Sequence, residues 1–126
     1  MTYLQLKKVL RTYGLPIFLS FSLPILIMAA VYYSKGIYPG SDLSILASDA
    51  FSQYANFHAS FNNVLHGKQS IFYTWSGSLG LNYWSLMGYY LNGLFTLLVG
   101  FTDNLHMPDT LYYLTLLKFG ASGLAF

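Results

Sequence analysis

Apolar positions along this chain come in long blocks, separated by shorter polar stretches. Between Arg11 and Lys35 lie 23 residues without a charge, "TYGLPIFLSFSLPILIMAAVYYS". A helix crossing the hydrocarbon core needs about 20 such residues, so residues 13–34 are predicted to form a first transmembrane helix. Pro16 falls near its start and Pro24 mid-span, where a kink is expected and membrane helices tolerate one. A second uncharged window centres on "YWSLMGYYLNGLFTLLVGF", and residues 83–101 are predicted to return as a second span. A third apolar run occupies 111–126 with Lys118 at its centre. It reads as the start of a third transmembrane helix cut by the end of the sequence, or as an interfacial helix on which Lys118 snorkels. Counting spans places residues 102–110 in a short cytoplasmic loop.

The 48 residues of 35–82 are too long for a passive connection. They open on the turn signal "YPG". Ser48 is predicted to cap an amphipathic helix over about 48–66, ended by Gly67. At helical spacing, Asp49, Gln53, Asn56, Ser60 and Asn63 share one polar stripe. Ala50, Phe51, Tyr54, Phe57, Phe61, Val64 and Leu65 fill a broad apolar sector beside it. Such a helix can lie at a membrane surface with its rings buried, or pack on other helices. The segment after it, "KQSIFYTWSGSLGLNYWS", is turn-like. Its "GSLG" lacks the lysine and the strand–helix context of a phosphate loop.

Composition supports the membrane reading. Hydrophobic residues make up 55% and charged residues only 8%, about a third of the share in soluble domains. The net charge of +2 is too small and scattered for nucleic acid. With no cysteine there is no disulfide framework, thiolate metal site or Cys nucleophile. Lys7, Lys8 and Arg11 precede the first span, so residues 1–12 are expected in the cytoplasm and 35–82 outside. A cleaved signal peptide fits poorly, because its apolar core is shorter and a small-residue cleavage site is missing. The fold class expected is an all-α membrane protein, with two to three transmembrane helices plus an extracytoplasmic juxtamembrane helix.

Chemistry narrows to few residues. All four acidic residues are aspartates, and Asp42 and Asp49 sit in the outer segment. An aspartate in a first helical turn is favoured by the macrodipole whatever its function. Asp49 can equally serve as a general base, or hold a divalent cation (Mg or Mn) with Asp42 and a phosphate. Asp42 reads most simply as a turn residue. His58 and His66, eight apart, do not make a ligand pair, and His106 is expected on the other side of the membrane.

Particular residues carry a family resemblance. Asp49 is followed by Gln53-Tyr54, Phe57, Phe61 and Gly67, then by Trp75, Leu79-Gly80 and Tyr89-Tyr90-Leu91, and last by Lys118 and Gly120. From Tyr38 onward this order resembles the N-terminal region of the YfhO family of bacterial membrane proteins. The resemblance implies the N-terminal part of a GT-C-like polytopic fold in the bacterial plasma membrane. It implies transfer of a sugar from a polyprenyl-phosphate donor to a cell-surface polymer such as teichoic acid. In that fold the first outer loop carries an essential aspartate near its start. Asp49 matches it best and Asp42 second, with Gln53, Tyr54 and Asn56 as substrate-binding neighbours. Family members are much longer, so the resemblance also implies that 126 residues alone lack much of the donor and acceptor site. The rival expectation is a non-enzymatic membrane protein: an assembly or flippase-like partner, or an inactive truncated product.

Overall fold

The computed structural model describes residues 3–77 and 79–126, with side chains from Thr12 onward. The side chains of Lys7, Lys8 and Arg11, on which the expected orientation rests, lie outside the described residues. The chain is mostly helical and divides into two units. One contains helix α1 and residues 115–126; the other is residues 37–114.

Helix α1 spans Tyr3–Ser34 and runs through both prolines. Its stretch Thr12–Ser34 is, among the described residues, the one helix long and apolar enough to cross a membrane. Leu15, Phe18, Leu26 and Ile27 are exposed along it, as side chains facing lipid would be. The same unit holds the second half of helix α4, Met107–Ala125. A Cβ built on Gly120 would meet the ends of Phe21 and Ile25. One built on Gly123 would strike the Ser20 carbonyl oxygen and Pro24. Pro24 has no N–H, so the Ser20 carbonyl lacks the i+4 donor that a helix normally supplies. Gly123, with no side chain, lets the α4 backbone come up against that carbonyl. Small residues serve helix pairs in membranes in this way.

The second unit opens with the expected turn. Ser41 N–H donates to the Tyr38 carbonyl at 3.0 Å with Gly40 at φ 79°, the left-handed conformation that glycine adopts without penalty. Helix α2, Ala55–Leu65, is preceded by a π-helical turn over Ala50–Tyr54. Ser48 does not cap it in the expected manner: the residue sits at φ 51°, and its carbonyl accepts from Phe51 and Ser52. The predicted stop at Gly67 is present. Gly67, at φ 68°, donates to Val64 and Lys68 donates to Asn63, the paired bonds of a Schellman motif. The chain then forms a short hairpin, β1 (Tyr73–Thr74) against β2 (Leu81–Asn82). This small antiparallel element departs from the all-α expectation.

Residues 83–101 do not form the single helix expected of a second span. They divide into α3 (Tyr83–Leu86), a π turn (Met87–Leu91) and a 3₁₀ helix (Leu94–Phe101). The break falls at Asn92-Gly93, where Gly93 is extended at ψ 136°. Asparagine favours turns and glycine costs about 1 kcal/mol in a helix. Much of the segment's apolar content is core rather than lipid-facing surface. Tyr83, Leu86, Leu91 and Val99 join Phe61, Met107, Leu111 and Leu114 in one buried cluster.

Residues 102–110 also depart from expectation. Asn62 Nδ2 donates to the Thr102 carbonyl at 2.6 Å and to Asn104 Oδ1 at 3.0 Å. Asn104 Nδ2 donates to Asn63 Oδ1, and the Gly40 N–H donates to Asp109 Oδ1 at 3.1 Å. Such bonds cannot reach across a hydrocarbon core about 30 Å thick. Residues 102–110 therefore share one side with residues 37–82 instead of facing them across the bilayer.

Candidate functional site

The π turn decides which side chains of the 48–66 helix share a face. Each π bond spans one residue more than an α bond, here Ala55 N–H to the Ala50 carbonyl. Residues ahead of it are therefore rotated relative to an unbroken α-helix. The expected stripe of Asp49, Gln53, Asn56, Ser60 and Asn63 is split. Asn56, Ser60 and Asn63 do line one wall of a pocket, but the fourth member is Ser52 rather than Gln53.

That pocket has a volume of about 340 Å³, and the hairpin forms its opposite wall. Ser60 Oγ donates to Gln69 Oε1 at 3.1 Å, and Gln69 Nε2 donates to Thr74 Oγ1 at 2.9 Å. Thr74 Oγ1 also accepts the Ser76 N–H at 3.1 Å. The Schellman stop makes this possible, because it turns the chain back so that Gln69 meets Ser60 on the helix just ended. Behind Ser60 lies the fully buried Tyr83. Burial pushes its hydroxyl pKa up, and the neighbouring Ser60 hydroxyl draws it partly back.

A second grouping stands at the head of the same helix. The Tyr54 ring lies 4.1 Å from the His58 ring and 5.6 Å from Tyr90, edge to face. Phe57 sits 5.5 Å from Tyr90, and Tyr90 4.2 Å from Tyr89. Asp49 is exposed beside this cluster and makes no side-chain cap bond. Its carboxylate acts on Tyr90, whose pKa is raised first by the hydrogen bond with Tyr89, then by burial and by the charges of Tyr89 and Asp49. The burial of Asp49 against Tyr54 and Phe57 that base chemistry would favour is absent, since the carboxylate faces open space.

The site residues expected from sequence thus fall into three places. Asp49 and Tyr54 belong to the aromatic cluster, Asn56 lines the polar pocket, and Gln53 is half-buried outside that lining. Asp42 is exposed in the turn segment after α1. His58 is buried with Nδ1 2.8 Å from the Tyr54 carbonyl, a packing position, as its place off the stripe suggests. Among the described residues no three His, Cys, Asp or Glu side chains converge as a metal cage. Sequence reasoning missed Ser52, Gln69, Thr74 and Ser76. The spacing of Ser52, Asn56 and Ser60 carried a signal, legible only once the π turn is known.

Neither a curated protein nor a solved structure matches the chain. The sequence model of the bacterial membrane protein YfhO matches residues 20–126. That match covers most of the sequence, and the chain belongs to the YfhO family of bacterial membrane proteins.

Proposed function

We propose that this chain takes part in GT-C-like sugar transfer at the plasma membrane, from a polyprenyl-phosphate donor to a cell-surface polymer such as teichoic acid. The observation that carries the reading is Asp49. It is an exposed carboxylate not engaged in capping its own helix, set beside the hydrogen-bonded Tyr89–Tyr90 pair. A carboxylate so placed can accept the proton of an acceptor hydroxyl as it attacks the sugar, while Tyr90 orients the incoming oxygen. Asp49 alone does not make a cation site; a divalent ion there would draw its other ligands from donor phosphate. On this reading residues 37–106 form the outer segment. The exposed Leu94 (81%), Phe101 (86%) and Leu105 (86%) suit the lipid–water boundary where a polyprenyl head group lies.

Asp49→Asn keeps the shape and removes the base. Expressed in a strain lacking the native protein, this variant is expected to insert normally and to transfer sugar to the polymer at about 1% of the normal rate or less. Normal polymer glycosylation by Asp49→Asn would remove Asp49 from the chemistry.

The exposed aromatic and aliphatic surface favours a second reading, a non-enzymatic subunit that docks on other membrane components. Under it the same variant leaves glycosylation untouched.

A further inference from the structure

The pocket between α2 and the β1–β2 hairpin is not explained by packing. Small-molecule sites are lined predominantly by apolar side chains with a few polar groups. Here polar and apolar groups share the lining about equally. Ser52, Asn56, Ser60 and Asn63 face Gln69, Thr74 and Ser76 across a cavity of about 340 Å³, and among the described residues no charged side chain lines it. We infer that this pocket binds a neutral pyranose, a single uncharged sugar ring. The inference deepens the sugar-transfer reading and rests on it for the origin of the ring, but the binding itself is measurable without turnover.

Three features lead to that ligand class. First, hydroxyls and amides each offer both donor and acceptor, as a sugar hydroxyl does. Toward the described residues, Asn56 uses one N–H on the Ser52 carbonyl and Asn63 uses its Oδ1 on Asn104. Asn56 Oδ1 and Asn63 Nδ2 are then available to a ligand. Second, the lack of charge disfavours an anion: a phosphate or uronate placed here would have no partner for its charge. Third, Phe57, Leu81 and Leu86 complete the lining, giving the C–H face of a ring an apolar surface to rest on. The volume lies at the small end of ligand sites, which fits one ring and not a chain of sugars or a lipid tail.

The pocket is also built in advance. Ser60 and Thr74 are buried, and the Ser60–Gln69–Thr74–Ser76 bonds fix the amide of Gln69 before any ligand arrives. A pre-set amide loses little freedom on binding. Phe57 belongs both to this lining and to the aromatic cluster beside Asp49. A ring held here therefore shares Phe57 with the cluster that contains Tyr90.

The test uses the full chain in lipid nanodiscs. Methyl glycosides of glucose, galactose, mannose and N-acetylglucosamine are the neutral probes, with methyl glucuronide as the charged control. Binding is read by saturation-transfer NMR and calorimetry. At least one neutral glycoside is expected to bind, and the glucuronide is not. Asn63→Leu and Gln69→Leu are each expected to weaken binding about tenfold, the effect of leaving one or two hydrogen bonds unmade. Because Gln69→Leu disturbs the internal network, Ser52→Val on the exposed rim is the second variant, expected to weaken binding without changing thermal stability. A polyprenyl-phosphate-linked glycoside competing for the same site identifies the donor as the source of the ring; competition only by the polymer's glycoside identifies the acceptor. No binding by any neutral probe, equal binding of the glucuronide, or binding unchanged in all three variants overturns the pocket assignment. Those failures leave the Asp49→Asn transfer result standing, and a failed transfer result leaves the binding data standing.

Discussion

Tyr83 shows what a single side chain contributes to the unit of residues 37–114. It is fully buried in the core beside Ser60, and burial is the larger influence on its hydroxyl, raising the pKa above 10.0. Below that pH, folded and unfolded chains both keep the proton. Above it the unfolded chain releases the proton first, so the folded form binds more protons and stability falls as pH rises. Thermal unfolding in detergent is therefore expected to stay level up to about pH 9 and to drop above about pH 10. The informative quantity is the difference from Tyr83→Phe. That variant is expected to lose about 1 kcal/mol or less at neutral pH and to show a shallower alkaline decline. Parallel declines for the two proteins would mean that Tyr83 is not the buried titrating group. At this scale the sequence was only partly legible. Asp49 was singled out by its rarity in a chain with four carboxylates, but Tyr83 and Tyr90 looked like two rings in an aromatic-rich window. Their roles depend on Ser60, Tyr89 and Asp49, and contacts with residues as remote in sequence as Ser60 and Asp49 leave no periodic trace.

Elements were legible where one local cause decides them. The 23 uncharged residues of α1, the "YPG" turn and the glycine stop of α2 each follow from a rule acting within a few residues. The π turn at Ala50–Tyr54 and the break at Asn92-Gly93 were not legible in this way. A hydrophobicity window adds up apolar content without asking whether the partner is lipid or protein, and residues 83–101 owe much of theirs to a protein core. The α1–α4 contact is also an element-scale fact, and its two glycines differ. At Gly120 an added Cβ meets the mobile ends of Phe21 and Ile25, whereas at Gly123 it meets backbone at Ser20. Side-chain ends can rotate away; a carbonyl held in a helix cannot. Gly123→Ala is expected to destabilise the protein by about 1–3 kcal/mol, the usual cost of overpacking. Gly120→Ala is expected to cost less than half of that. Loss of the monodisperse peak on heating in detergent measures both. Equal effects of the two substitutions, or a milder Gly123→Ala, would contradict the backbone contact.

At the scale of the whole molecule, what matters is which residues share a side of the membrane. Hydropathy alone has the chain cross after residue 82 and return after 110. The hydrogen bonds from Asn62 to Thr102 and from Gly40 to Asp109 join segments that such a path would separate by the full bilayer. Those bonds lie within one unit with a common core, so the two segments stay together. The chain has no cysteine, which makes the point measurable without background. Lys68 and Asp103 are both exposed, one on each side of the segment once expected to span. Lys68→Cys and Asp103→Cys are expected to react with a membrane-impermeant maleimide from the same side, in intact cells or only after lysis alike. A cysteine at Thr12, at the other end of the apolar stretch of α1, is expected to show the opposite accessibility. If Lys68→Cys and Asp103→Cys label from opposite sides, residues 83–101 cross the bilayer and the unit of residues 37–114 cannot exist as described. The pocket and the aromatic cluster beside Asp49 would then lose their common scaffold, because α2 and Tyr90 are held together by the same core that holds Thr102 against Asn62.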